Sequence, residues 1–366
     1  PSKHFTAGED AELCIATFAQ GASSASYAWA SRAELLQEVR AAGSAAAGPG
    51  QHVDTVHQST ARSQRRSVQA RDVRKVDPTF CAPTDASLLV RRGCILVSMT
   101  GVSCCVLRDR CFFIVPQGAD SIMSLIIRRL VSGTGGGDGD GGFEGHVGEI
   151  PFEFRALEAT FATVVSKLES ELAKMTKTID GAIEAMRARP SDAKAQTLLF
   201  VASGELNVFQ QRVTAIAGVL DELLANHEDM AYMSLTRLHQ LGDEAAGTGP
   251  LQHEEDIELL LENYLSAVKS LDRRSSGLSW KLSSTTRIID IELAATRNQL
   301  LRYDVGLAIV SVVVAVCALI AGLFGMNLQS GLETSQSAFW AVFHVSIAIV
   351  VVFGIAASAY VRQIRV

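Results

Sequence analysis

Two long runs without Asp, Glu, Lys or Arg stand out near the C-terminus, 305–329 and 338–361. At 1.5 Å rise per residue, about 20 residues cross a hydrocarbon core of about 30 Å. Each run therefore predicts a transmembrane helix, 304–325 and 338–361, joined by a short loop, 326–337, which leaves both chain ends on one side of the membrane. Arg287, Arg297 and Arg302 precede the first span and Arg362 and Arg365 follow the second, while the loop has no Lys or Arg and a single acid, Glu333. Positive charge stays on the inner side, so both termini face the cytosol or the mitochondrial matrix. Trp340 and Tyr360 lie near the two ends of the second span, where amphipathic rings favour the interface. His344, inside that span, reads as a helix-packing residue.

Upstream, the pattern is helical for most of 151–303. Leu206, Phe209, Val213, Ile216, Leu220 and Leu223 repeat at threes and fours, the apolar face of a bundle helix. A last helix runs from about Glu255 through Arg302 and, without a break, into the first span. Before the bundle the period changes. Residues 88–116 are rich in β-branched and aromatic residues, punctuated by Gly93, Gly101 and Pro116, and predict two or three short strands. Short helices are expected at 31–40 and 120–130. The Gly-rich stretch 133–142 lacks a following Gly-Lys-Ser/Thr and carries Asp where phosphate would sit, so it reads as a connector rather than a nucleotide loop. Residues 41–66, rich in Ala, Gly and Ser, read as a disordered insertion.

The expected fold class is thus an α+β soluble domain, a small β-sheet with helices plus a long-helix bundle, followed by two C-terminal transmembrane helices. Its segments are an N-terminal part (1–70, partly disordered), an α/β part (71–132), a connector (133–150), a helical bundle and stalk (151–303), and the two spans with their loop and tail (304–366).

The first span carries a second pattern. Stepping back from Gly325 by threes and fours gives Gly322, Ala318, Ala315, Ser311, Ala308, Asp304, Leu301 and Arg297, a heptad stripe of mostly small or polar residues. Small residues on one stripe suit close packing of two helices. This stripe, however, ends in charged residues at the inner side and in Gly325-Met326-Asn327 at the other mouth, as a narrow aqueous pathway would.

Composition narrows the function classes. The chain is 48% hydrophobic and 20% charged with a net charge of −6, which gives no electrostatic case for nucleic acid, and the basic run Arg62–Arg74 is short and Ser-rich. The seven cysteines lack a CxxC pair or His at metal spacing, so a reduced compartment is inferred, with Cys94, Cys104, Cys105 and Cys111 behaving as small apolar residues in the strands. No nucleotide loop, nucleophile elbow or HExxH points to an enzyme. Acidic clusters at Glu228 and Asp229, and at Glu254, Glu255, Asp256, Glu258 and Glu262, fit either solvated helix faces or regulatory cation sites between subunits.

At AGLFGMNLQSGLE the chain resembles the CorA superfamily of magnesium channels, whose Gly-Met-Asn signature follows the first of two C-terminal spans. RDVRKVDP (71–78), PFEFRALE (151–158), DMAYMSLT (229–236) and RNQLLRYD (297–304), with a weaker match at SRAELLQEV from Ser31, resemble its eukaryotic, mitochondrial-type branch. The resemblance implies a funnel-shaped homopentamer embedded in membrane lipid. First spans would line the pore, and a ring of Gly325, Met326 and Asn327 would receive Mg2+ from the positive side. It places a hydrophobic constriction at Leu301 and an arginine near the cation path at Arg297. Relatives can carry an acid three residues before that arginine, where this chain has Ala294, which removes a cation site at that level. Five copies of Asp304, about 31 Å along the helix from Gly325, would form a carboxylate ring at the inner mouth; an ion pair with a neighbour's Arg302 is the other reading. Arg297 could likewise pair with Asp290 or Glu292. Glu333 would attract cations to the loop.

The implied function is potential-driven Mg2+ influx with internal Mg2+ sensed by the soluble part, Mg2+ being cargo and regulator. The mitochondrial inner membrane is the expected site, with plastid, vacuolar and plasma membranes as hosts of related proteins. Two alternatives stay open: a transporter of zinc, cobalt or other divalent cations, and a non-conducting membrane anchor carrying a helical interaction domain.

Overall fold

The structure, a computed structural model, describes residues 13–45, 68–82, 84–115, 120–132, 150–189, 193–241, 252–326 and 336–363. The chain divides into two compact units, Pro1–Ala185 with Asp192–Leu282, and Met186–Ser191 with Ser283–Val366. The stretches 46–67 and 133–149, which include most of the expected insertion and the connector, lie outside the described residues.

The first unit holds a six-stranded antiparallel sheet in the order β2-β1-β6-β5-β4-β3. Its strands are β1 (Leu13–Ala19), β2 (Ser26–Ala30), β3 (Ser87–Arg91), β4 (Cys94–Met99), β5 (Val102–Val106) and β6 (Arg110–Ile114). The expected two or three strands of 88–116 are therefore four, and residues 13–30 add two more that the sequence pattern does not mark. Tight turns explain the compression. Arg92-Gly93 joins β3 to β4 and Thr100-Gly101 joins β4 to β5, with positive φ at Gly93 (78°), Thr100 (50°) and Gly101 (76°). In the Thr100-Gly101 turn both central residues have positive φ, the turn geometry that follows strand twist. A threonine there is unusual, and the Lys167 Nζ, donating to the Thr100 carbonyl at 2.8 Å, pins the turn.

Both faces of the sheet are covered, which is why β4 and β5 are apolar apart from Ser98 and Ser103, whose hydroxyls pair with each other, and are buried throughout. On one face Leu13, Ile15, Cys94, Leu96, Cys105, Leu107, Phe112 and Ile114 form a core with Leu35 and Val39 of α1 (Arg32–Ala45) and Val73 of α2 (Ala70–Arg74). On the other lie α3 (Asp120–Ser132) and the start of α4 (Phe152–Ala188), where Phe152 stacks on Phe18 at 6.4 Å. Four of the five strand cysteines, Cys94, Cys104, Cys105 and Cys111, are buried, Cys14 of β1 is half-buried, and all seven thiols are free. Burial pushes Cys104 up to about 12. A contact with Cys94, then burial, raises Cys105, and burial raises Cys111.

Helix α4 continues into a bundle with α5 (Ala193–Ala225) and the first part of α8 (Gln252–Phe324); α6 (His227–Met233) and α7 (Leu235–Leu241) lie between α5 and α8. Leu206, Phe209, Val213, Ile216, Leu220 and Leu223 are all buried, as their spacing predicts. Ion pairs flank the apolar seams: Arg212 to Glu171 at 2.7 Å, Lys269 to Asp221 at 2.9 Å and Lys281 to Asp180 at 2.7 Å. The two lysine pairs are half exposed and contribute under about 1 kcal/mol each. Helix α8 runs for 73 residues without interruption, as expected from the sequence. In the second unit it is followed by α9 (Gln336–Gln363).

Four of the segments that carried the family resemblance meet in pairs. Arg32 binds Asp77, and Asp77 also takes the Thr79 hydroxyl. Glu153, fully buried, accepts from the Thr236 backbone N–H at 2.9 Å and hydroxyl at 2.8 Å, tying the start of α4 to the first turn of α7. Burial raises the Glu153 carboxyl, and those hydrogen bonds offset part of the rise.

Asp72 receives a bidentate pair from Arg91, both bonds at 3.0 Å. Burial would raise the Asp72 carboxyl, but the Arg91 and Gln69 bonds hold it below its ordinary 3.8. A carboxyl depressed in the fold adds stability above its unfolded pKa, and that stability disappears as pH falls through the depressed value. Asp72→Asn is thus expected to cost about 2 kcal/mol at pH 7, with the gap to wild type closing below pH ~3.8. Thermal melting of the detergent-solubilised chain across that range measures it, and a gap independent of pH would remove the ion pair from the account.

Candidate functional site: the exposed face of the first span

The second unit contains the two helices long and apolar enough to cross a membrane, the C-terminal stretch of α8 and α9. No charged residue occurs in 305–326 or 336–361, so neither segment needs to bury an ion in lipid. β-Branched Val and Ile lower helix propensity in water, yet in hydrocarbon the helix satisfies every backbone group internally and these side chains become favourable.

The two faces of the span on α8 differ. Gly306, Ile309, Val313, Val316, Cys317 and Ile320 are half-buried, and so are Ala338, Val342, Ser346 and Ile349 on α9. The predicted stripe of Arg297, Leu301, Asp304, Ala308, Ser311, Ala315, Ala318 and Gly322 is exposed at every position. At 100° per residue the stripe lies roughly 150° around the helix from the half-buried face. Its small residues are therefore not what packs α8 within its own chain. The packed face instead uses β-branched residues, and the sequence gives no warning of this because Val and Ile also fill the lipid-facing sides.

At the far end of the stripe the Gly325 N–H still donates to the Ala321 carbonyl at 2.9 Å, extending the helical hydrogen bonding one residue past Phe324. A Cβ at Gly325 would come within 3.2 Å of that carbonyl oxygen, a tight contact that any larger residue could take only if the backbone gave by a few tenths of an ångström. Met326 follows, half exposed. Asn327 and Glu333 lie outside the described residues. Ser311 returns its hydroxyl to the Leu307 carbonyl at 2.9 Å, leaving its oxygen free to accept. Among the described residues neither Arg297 nor Asp304 makes an ion pair within the chain, so Arg297 does not pair with Asp290 or Glu292 of its own helix.

The acidic clusters are not brought together within one chain. Asp229 serves the N-terminal cap of α6, accepting from Asn226 Nδ2 at 2.8 Å while its own N–H donates to Asn226 Oδ1. Glu228, Glu255, Asp256 and Glu258 join no group of three or more metal-ligating side chains among the described residues. His344 is exposed within the chain and stacks on Trp340 at 5.9 Å, because position 344 lies on the far side of α9 from the half-buried face. Its aromatic neighbours Phe339 and Phe343 carry no signal of their own in the sequence beyond their i, i+4 spacing, which places them on one side of a helix.

A sheet-and-bundle unit followed by two C-terminal spans is the CorA-like fold. The chain superposes on the complete structure of the CorA magnesium transporter from Methanocaldococcus jannaschii with a TM-score of 0.57, covering 94% of this chain and 96% of that one at 13% identity. The sequence specifies the branch: residues 46–297 match the family described as magnesium transporter MRS2-like, and the chain belongs to that family, one of transporters and not of enzymes. Relatives include the mitochondrial inner membrane magnesium transporter mrs2 of Aspergillus fumigatus, 30% identical over 81% of this chain and 48% of its own length. The corresponding Schizosaccharomyces pombe protein is 29% identical over 74% and 62%. The mitochondrial magnesium transporter MRS2 of Saccharomyces cerevisiae is 26% identical over 81% and 58%. The chain thus spans roughly half to three-fifths of the length of these curated relatives.

Proposed function

We propose that this chain is one subunit of a magnesium channel that admits Mg2+ down the membrane potential, with five copies of α8 turning their small-residue faces toward a common axis. The observation that carries the reading is the exposed stripe from Arg297 to Gly325, opposite the face that packs within the chain and ending at the Gly-Met-Asn signature. A stripe that is small, continuous and unpartnered in one chain supports close approach of identical helices around a narrow lumen.

Mg2+ holds its octahedral waters tightly and dehydrates reluctantly. A filter of amide and carbonyl oxygens at Gly325, Met326 and Asn327 would bind the hydrated ion through those waters. Asp304 would concentrate cations at the inner mouth, Leu301 would form the constriction, and Glu333 would raise cation concentration at the entry loop. Two charges moving through roughly 150 mV release about 7 kcal/mol, so influx needs no other fuel. The names of the curated relatives support a mitochondrial inner membrane setting with both termini in the matrix. Glu228, Asp229, Glu255, Asp256 and Glu258 are the proposed sensors of internal Mg2+, acting between subunits, since one chain does not assemble them.

The test is reconstitution into liposomes loaded with a magnesium-sensitive dye, under an inside-negative potential. Wild type is expected to admit Mg2+, and Asn327→Ala to slow entry at least tenfold. Entry unchanged by that substitution would remove the filter assignment, and no entry in an assembled wild type would favour a non-conducting anchor.

A further inference from the structure

The two edges of the sheet are treated differently. At one edge α5 and α6 pack against β3, and Arg91 of β3 is held by Asp72. At the other edge β2 ends the strand order with β1 as its single neighbour among the described strands. Ser26, Tyr27, Ala28 and Trp29 are all exposed and Ala30 is half-buried, so neither face of β2 is covered. Tyr27 and Trp29 are large side chains left 56% and 62% exposed.

An edge strand presents a row of unpaired N–H and C=O groups, and folds blunt such edges with charge, proline, a bulge or a covering element. Residues 20–31 contain no charged residue and no proline, and β2 pairs with β1 in unbroken register from Ser26 to Ala30, without a bulge. What covers this edge must therefore bring its own row of backbone donors and acceptors, which is another strand. Strand β2 itself meets the requirement. Paired antiparallel about Ala28, two copies set Tyr27 opposite Trp29, Ala28 opposite Ala28 and Ser26 opposite Ala30. Aromatic then meets aromatic on one face, a stabilising cross-strand pair, and small meets small on the other. With no charge in the segment, the two copies do not repel. The helices against β3 block head-to-tail pairing of β2 with β3 of another copy, which leaves the isologous arrangement.

We propose that the β2 edge is a self-association surface whose occupant is β2 of a second copy of this chain, joining two sheets into one through an antiparallel pair centred on Ala28. A pair this short buries little surface and is weak alone. It gains from repetition where several copies are held in one assembly. The pairing needs neither conduction nor a pore, so its failure leaves the magnesium reading untouched.

Residues directly opposite in an antiparallel pair lie about 4.5 to 5.5 Å apart at Cα, within disulfide range. The full chain is used with Cys14→Ser, because Cys14 lies opposite Trp29 on β1. It is reconstituted in liposomes and oxidised with copper phenanthroline, and disulfide-linked dimer is followed on non-reducing gels. Ala28→Cys is expected to dimerise about tenfold faster than Ser24→Cys, which is equally exposed in the bend ahead of the strand. Adding Trp29→Lys to Ala28→Cys is expected to return the rate to that of Ser24→Cys, since lysine is an edge-blunting residue. Coexpressed Ser26→Cys and Ala30→Cys chains are expected to link to each other, whereas Ser26→Cys alone does not, its two copies being about 14 Å apart along the strand. Equal rates for Ala28→Cys and Ser24→Cys would overturn the pairing. If Ala28→Cys forms no dimer and also reacts slowly with a soluble maleimide, the proposal falls in favour of another part of the same chain covering the edge.

Discussion

Ala315→Leu is expected to reduce Mg2+ entry into dye-loaded liposomes at least a hundredfold without preventing assembly. Ala315 sits mid-span on the exposed face of α8, between Ser311 and Ala318, away from the half-buried positions Ile309, Val313 and Val316. Leucine is favoured in a membrane helix, so insertion is not impaired. In a ring of five, however, each copy would push a branched side chain into the lumen and line it with apolar surface. A hydrated divalent ion would then meet both a narrower passage and one that sheds water. Val310→Leu is the control: Val310 is 59% exposed but lies on a different side of the helix, and should keep most of the wild-type rate. The reverse ranking, with Ala315→Leu active and Val310→Leu blocked, would assign the lumen to the wrong face.

Phe209→Ala is expected to destabilise the first unit by about 4 kcal/mol, the usual range for deleting a fully buried aromatic ring. Phe209 is fully buried in α5, in series with Leu206 and Val213, and the Arg212 guanidinium lies 5.6 Å from its ring centroid. Truncation removes apolar contacts, leaves a cavity in a long seam that cannot collapse locally, and takes away the ring under a cation. Melting of the solubilised protein should drop by roughly 10 °C or more. Phe200→Ala is the comparison, since Phe200 lies on the same helix but is 81% exposed, and its melting should move by no more than a degree or two. Equal shifts for the two would mean that the α5 seam is not what holds the bundle.

The spans and the α5 seam were legible because each rests on a pattern of one helix: uncharged length in the first case, three-four spacing in the second. Strands β3 to β6 were legible as a region but not in number, since β4 and β5, covered on both faces, show no alternation. Strands β1 and β2 failed for different reasons. Leu13–Ala19 has buried residues on both sides, and Ser26–Ala30 is an edge strand with Tyr27 and Trp29 exposed. Neither presents the period-two pattern that marks a half-buried strand.

The small-residue stripe was visible in the sequence, but which face of α8 packs within the chain was not, because Val and Ile serve equally against a helix and against lipid. The segments that signalled the family proved to carry pairs whose partners are distant in sequence: Asp72 with Arg91, Asp77 with Arg32, Glu153 with Thr236. A carboxylate's partner across the fold leaves no local trace, so those residues could be recognised as a resemblance but not explained.

The thiols stored in the sheet have a use of their own. Cys94, Cys104, Cys105 and Cys111 are at most 3% exposed, whereas Cys14, Cys81 and Cys317 are partly accessible. A thiol reacts as thiolate, and burial keeps Cys104 and Cys111 protonated at neutral pH. An alkylating reagent can therefore reach Cys94, Cys104, Cys105 and Cys111 only through strand opening, and their rate of modification serves as an intrinsic clock for the breathing of the sheet.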